Sequence, residues 1–243
     1  LKKLVVLSIF VFIGIFSTAQ AQTFGFGCLG LSGVFGGYGY QYYKADGLNN
    51  YIASQFPDDP AIDKKNFKRG EGFILGANIL QVKFSSLFFG LKGFYQFSQE
   101  TKTLLNTNTS GFNSYQLNFN YWGAGIDFGF PLGSFVSLKL VDAGVTYSDI
   151  SLEISDKIGG ETIPVMTYKS KKPQLGYYAG SGLIFNIVSN YISLELTARY
   201  HFSKYDNIEN ENHETLLPVQ SEDYLIKESG IEATVQLNIG LPF

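Results

Sequence analysis

From Tyr191 to Tyr205 the chain reads YISLELTARYHFSKY, and this stretch decides the fold. Ile192, Leu194, Leu196, Ala198, Tyr200 and Phe202 fall on one side of a period of two. Ser193, Glu195, Thr197, Arg199, His201 and Ser203 fall on the other. Such alternation marks a β-strand with two unlike faces. The last stretch repeats it, with Ile231, Ala233, Val235, Leu237, Ile239, Leu241 and Phe243 against Glu232, Thr234, Gln236, Asn238, Gly240 and Pro242. Phe89, Leu91, Tyr95 and Phe97 alternate with Lys92, Gln96 and Ser98, and Tyr115, Leu117, Phe119 and Tyr121 with Gln116, Asn118 and Asn120. After Tyr121 the apolar set becomes Trp122, Ala124, Ile126 and Phe128, a change of phase that predicts a bulge near Trp122. A second slip falls at Leu140 and Val141.

Extending this reading over the chain yields eight strands: Phe24–Tyr43, Gly70–Phe84, Leu87–Thr101, Asn113–Phe130, Ser134–Ile154, Lys172–Val188, Tyr191–Tyr205 and Tyr224–Phe243. A further pair between Glu161 and Ser170 would raise the count to ten. Ser85-Ser86, Pro131-Leu132-Gly133 and Ser189-Asn190 are tight turns, whereas Lys44 to Arg69, Lys102 to Phe112, Ser155 to Lys171 and Asp206 to Asp223 are long and polar. Short and long links alternate strictly. That predicts an all-β, eight-stranded antiparallel up-and-down transmembrane β-barrel, with its turns at one end and its loops at the other.

Composition supports a chain of this kind. Only 16% of the 243 residues are charged, against 45% hydrophobic and 16% aromatic, and 27 are glycine. An average soluble domain is about 25% charged. The single cysteine, Cys28, rules out an internal disulfide framework and a multi-cysteine zinc site. A net charge of −3 carries no basic footprint for nucleic acid. At the start, Lys2 and Lys3 precede an apolar run from Leu4 to Phe16 and an A-x-A site at Ala19-Gln20-Ala21. These are the parts of a secretory signal peptide over residues 1–21, leaving a barrel domain over 22–243.

A soluble lipocalin-like barrel also has eight strands, but its charged face meets water. Here the polar face is mostly Ser, Thr, Asn, Gln and Gly, which suits the filled interior of a small membrane barrel. Aromatic residues crowd the strand ends: Tyr38, Tyr40, Tyr42 and Tyr43; Phe88 and Phe89; Phe128 and Phe130; Tyr177 and Tyr178; Tyr200 and Phe202; Phe243. Such belts anchor a protein at membrane interfaces.

The row Val235, Leu237, Ile239, Leu241 and Phe243 resembles the terminal assembly signal of Gram-negative outer-membrane barrels. With the signal peptide and the strand plan, the sequence is similar to the OmpA/OmpX-like outer-membrane β-barrel family. The resemblance implies location in the cell outer membrane, contact with outer-membrane lipid, and recognition by the barrel-insertion machinery. Small barrels of this type include structural, adhesion and defence proteins, secretion accessories of the PorT kind, and a few lipid-modifying enzymes.

Motifs for chemistry are sparse. Gly25-Phe26-Gly27-Cys28-Leu29-Gly30 matches G-x-G-x-x-G, but a strand and not a helix is expected after it, so close packing in the wall explains it better than a dinucleotide. His201 shares a face with Ser203, the minimum for a dyad, yet Arg199 and Glu195 on the same face favour a hydrogen-bonded network. His213 and its acidic neighbours from Asp206 to Glu214, like Asp58-Asp59, lack the ordered spacing of a calcium loop. No cofactor is expected.

Lys92, Asp127, Lys139, Asp142, Glu195, Arg199, His201 and Glu232 form the coherent set, spread over the central strands on polar or near-polar phases. Buried charges persist when paired, and an eight-stranded bore is only wide enough for side chains. The expected protein is therefore a non-enzymatic barrel with a plugged lumen. It would act through its outer loops or as a subunit of an outer-membrane secretion or assembly complex, with another outer-membrane protein as partner. A lipid-modifying enzyme and a small channel are the competing readings. On this view the loops Lys44 to Arg69 and Asp206 to Asp223 are dispensable for folding.

Overall fold

A computed structural model describes residues 22–23, 33–56, 66–83, 86–106, 111–158, 161–188, 191–217, 225–226 and 230–240. Its strands are β1 (Gln22–Thr23), β2 (Gly33–Tyr42), β3 (Arg69–Lys83), β4 (Phe88–Asn106), β5 (Gly111–Pro131), β6 (Val136–Ile158), β7 (Glu161–Ser170), β8 (Gln174–Val188), β9 (Ile192–Phe202), β10 (Ile208–Glu209) and β11 (Gly230–Gly240), with one helix, α1 (Asp46–Gln55), after β2. Eight of these close into a ring, β2-β3-β4-β5-β6-β8-β9-β11 and back to β2, antiparallel at every seam. The protein is an eight-stranded antiparallel β-barrel.

The segment from Glu161 to Ser170 is a single strand, β7, which pairs with the upper part of β6 and with β10. It stays outside the ring, so ten is not the barrel's count. Among the described residues no helix is long and apolar enough to cross a membrane. The expected signal segment, the glycine motif with Cys28, Asp58-Asp59, Leu241 and Phe243 lie outside the described residues.

The bulge expected near Trp122 is absent, and the reason governs the whole molecule. Pairing of β5 with β4 and β6 runs through Trp122 without a shift. Tyr115, Leu117, Phe119 and Tyr121 point into the barrel and are buried, while Trp122, on the opposite face, is 63% exposed. The pleat never changes; the apolar residues change sides. On β5 and β6 the half toward the loops has an apolar inside and a polar outside, and the half toward the turns the reverse. The second slip is a true bulge: Leu140 and Val141 of β6 sit opposite Ser181 of β8, and both face outward. Another bulge occurs at Ile79, between Asn78 and Leu80.

The changeover on β5 and β6 is bordered by a row of large outward residues. Register aligns Leu75, Tyr95, Trp122, Tyr147 and Leu175 across five strands as an outward row. One step nearer the loops, Asn120 and Asp149 replace Trp122 and Tyr147, while β3 and β4 keep Phe73 and Phe97 on the outside. Aromatic contacts mark the boundary, with ring centroids 4.9 Å apart for Tyr95–Trp122 and 4.9 Å for Tyr177–Phe202. Tyr38, Tyr40, Tyr42 and Tyr200 complete it, as an interfacial belt would. Tyr43, Phe88 and Tyr178, expected in such belts, instead point inward and are buried. Each lies one residue out of phase with the wall-facing set.

Above the belt the barrel holds an ordinary hydrophobic core. Leu104, Tyr115, Leu117, Phe119, Ile150 and Leu152 from the strands pack with Leu48 and Ile52 of α1, Phe67, Ile208, Leu216, Leu217, Leu225 and Ile226. The loops therefore fold back over the barrel mouth. The segments 44–69 and 206–223, expected to be dispensable for folding, both supply buried core side chains from their described residues. Leu117→Ala is expected to lower stability by about 2–5 kcal/mol. Leu237→Ala on the outer wall opens no cavity and should cost only the transfer part, about 2 kcal/mol, less than the buried site. Urea unfolding in lipid vesicles checks this, and equal losses would contradict the assignment of inside and outside.

Candidate functional site

The lumen below that core is the candidate site. Asp127 of β5 lies directly opposite Asp142 of β6 in the ladder, and like charges in that position repel. Cations must separate them. Lys92 Nζ lies 2.9 Å from Asp127 Oδ1 and 2.7 Å from Asp142 Oδ1. Lys139 Nζ lies 3.0 Å from Asp127 Oδ2, 3.9 Å from Asp142 Oδ2, and in close contact with Glu195. Arg199 Nε donates to Asp142 Oδ2 at 2.8 Å, and its Nη1 is 4.0 Å from Glu232. His201 Nε2 closes the chain by pairing with Glu232. The structure thus gathers all eight lumen residues picked from sequence into one network, and each is buried.

Local sequence makes room for it. Arg199 sits opposite Gly180, where any Cβ would come within 2.7 Å of the Arg199 Cα. The guanidinium lies 5.2 Å from the Tyr178 ring centroid and 5.8 Å from that of Phe94. Tyr178 in turn stacks on His201 at 5.5 Å. With Phe35 and Ile74, Phe94 and Tyr178 form a small apolar layer beside the ions. Periodicity misses these aromatics because it cannot say which medium a face meets. The glycines opposite them, Gly123 under Phe94 and Gly125 under Tyr178, are the available signal.

Between the ions and the core lies a layer of hydroxyls. Tyr121 donates to Gln41 Oε1 at 3.0 Å, and the Ser148 and Tyr205 hydroxyls are 2.7 Å apart. On the turn side, Asn238 Nδ2 donates to Glu195 Oε2 at 3.2 Å and Ser193 Oγ at 3.3 Å. The arrangement is suited to sealing a bore. His201 is paired with Glu232 and lies against the Tyr121 and Tyr178 rings, 5.8 Å and 5.5 Å between centroids.

At the loop end, Glu100 is the anchor of the cover. It accepts from Tyr43 Oη at 2.5 Å and from the backbone N–H groups of Lys68 at 2.9 Å and Arg69 at 2.7 Å, and pairs with Lys102 at 2.7 Å. Burial, then the Glu100 carboxylate, pushes the Tyr43 hydroxyl well above its usual pKa, so it remains a donor. Asn49 clips α1 to the chain through two bonds with the Phe67 backbone. Asn207 and Asn210 hold the 206–217 loop by bonding its backbone at Leu217, Asn212 and Glu214. His213 stands exposed at a positive φ of 63°, with Nδ1 3.7 Å from Glu209. Glu100→Ala is expected to weaken the cover by about 3 kcal/mol, as charged hydrogen bonds are lost. Limited proteolysis between residues 44 and 68 should accelerate while the lower barrel stays intact; an unchanged cleavage rate would remove Glu100 from this role.

No protein-family model and no curated protein matches the chain. Among solved structures it is similar to Ail, the attachment invasion locus protein of Yersinia pestis, at 15% identity over 87% of this chain and 97% of that one, with a TM-score of 0.39. It is also similar to the Neisserial surface protein NspA, at 11% identity over 87% and 99%, TM-score 0.40. A major outer membrane protein from Thermus thermophilus is similar at 13% identity over 86% and 100%, TM-score 0.46.

Proposed function

We propose that this is a non-enzymatic outer-membrane barrel that works through its loop-end surface, or by docking its wall against another outer-membrane protein of a secretion or assembly complex. The observation that carries the reading is the filled bore: an ion network, a hydroxyl layer and a hydrophobic core succeed one another from the turn end to the loops. Membrane insertion is supported by the outward apolar band, in which Trp122, Tyr147 and Leu175 are more than half exposed. Val235, Leu237 and Ile239 belong to that band, as an assembly signal read from the outer wall requires. Export by a cleaved signal over residues 1–21 belongs to the same proposal. Planar-bilayer recording tests it: the purified barrel should give no stable unitary conductance, and a reproducible one would overturn the sealed-lumen reading. A stoichiometric membrane-protein partner recovered from detergent-solubilised outer membranes would select the subunit version.

A further inference from the structure

Above the belt the wall continues as a four-stranded sheet. β6 pairs with β8 as far as Ser148 and, from Ser151 to Ile158, with β7. There β4, β5, β6 and β7 run side by side. Register lines up Gln99, Asn118, Ser151 and Lys169 across their outward face, and Thr101, Gln116, Glu153 and Thr167 in the next row. Each of these carries a hydrogen-bonding group, and none is aliphatic or aromatic. Several are already held: Gln116 Nε2 donates to Asn118 Oδ1 at 3.0 Å, and Asn118 Nδ2 to Glu153 Oε1 at 3.1 Å. One row lower, Tyr95 Oη donates to Asn120 Oδ1 at 2.8 Å and Asn120 Nδ2 to Asp149 Oδ1 at 3.0 Å. Higher on the same face of β5, two steps of the alternation beyond Gln116 and well above the aromatic belt, Phe112 is 47% exposed.

The content of this face selects its partner. Among the described residues its charges, Asp149, Glu153, Lys157 and Lys169, sum to zero, so neither a polyanion nor a polycation is favoured. Protein interfaces are built around an apolar centre, which the two rows lack. Sugar hydroxyls both donate and accept, and amides and the hydroxyls of serine and threonine do the same. Side chains already tied to one another lose little freedom when a ligand settles on them. We propose that the outward face of β4 to β7 binds an uncharged polysaccharide, with its hydroxyls on the two rows and the apolar face of one sugar ring against Phe112. The inference rests on the loop-end reading above and gives the partner of that surface a chemistry.

The barrel is held in lipid nanodiscs on a biosensor surface, and dextran and mannan, two uncharged polymers, are passed over it beside dextran sulfate. The uncharged polymers are expected to be retained by the barrel and not by empty nanodiscs. Added salt should leave the signal unchanged, since no counterions are released. Thr101→Lys combined with Gln116→Lys places two charges in the middle of the rows, and Phe112→Ala removes the ring. Each variant, checked for folding by heat-modifiable mobility, should bind at least about tenfold more weakly. No retention of either uncharged polymer, tighter binding of dextran sulfate, or full binding by both variants would overturn the site. Binding that survives in these variants but is lost when the cover is cut between residues 44 and 68 would move the contact to the loops, which overturns this face and leaves the loop-end reading standing. Unitary conductance from the same preparation would instead overturn that reading.

Discussion

Asp142→Ala is expected to cost the barrel about 3–5 kcal/mol, the range for stripping one partner from a buried ion cluster. Asp142 is fully buried and faces three cations: Lys92 at 2.7 Å, Arg199 at 2.8 Å and Lys139 at 3.9 Å. Without it their mutual repulsion is answered only by Asp127, Glu195 and Glu232. The desolvation of each cation is already incurred, so the loss exceeds that of a single hydrogen bond. Combining Asp142→Ala with Lys92→Met should recover part of it, since an apolar residue of similar size removes one unpaired charge. Urea titration in vesicles, followed by Trp122 fluorescence, measures both; a loss under about 1 kcal/mol would mean that water screens the lumen.

The second large effect concerns a pair of glycines. Gly125 and Gly144 face each other across the β5–β6 ladder, and the Tyr178 hydroxyl rests over them. A Cβ at Gly144 would meet the Ala124 carbonyl oxygen at 2.2 Å and the Gly125 Cα at 2.7 Å, both backbone atoms. Gly144→Ala should therefore cost about 3 kcal/mol or block assembly, at the upper end of overpacking penalties. A Cβ at Gly125 would instead meet the Tyr178 Oη first, at 2.0 Å. Gly125→Ala should then be rescued in part by Tyr178→Phe, with the Ala143 carbonyl oxygen still 2.9 Å away, while Gly144→Ala should not. Equal rescue of both would show that the ring, and not the backbone, sets the limit.

Much of this is legible in the sequence, for a definite reason. Alternation at Ile192–Phe202 and Ile231–Ile239 reports which residues share a face, and both strands follow it throughout. The lumen set is readable because charges on a polar phase in so narrow a barrel must meet. Alternation does not report what medium a face meets. Tyr115 to Tyr121 and Trp122 to Phe128 read as one face interrupted by a bulge, when they are two faces at different heights. Tyr178 and Phe88 are misplaced on the same ground. Helix α1 gives little warning, since Asp46, Gly47, Asn49 and Asn50 in its first turns have low helix propensity and Ala45 makes no side-chain cap. It is held by Leu48, Ile52 and the Asn49 clip to Phe67, contacts that sequence spacing does not reveal.

The exchange of apolar residues from inside to outside between Tyr121 and Trp122 also acts as a depth gauge. In the membrane-spanning reading, sinking the barrel by one step would draw Asn120 and Asp149 into hydrocarbon, and raising it would strand Trp122 and Tyr147 in water. In the membrane-spanning reading proposed above, β5 and β6 thus carry their own waterline.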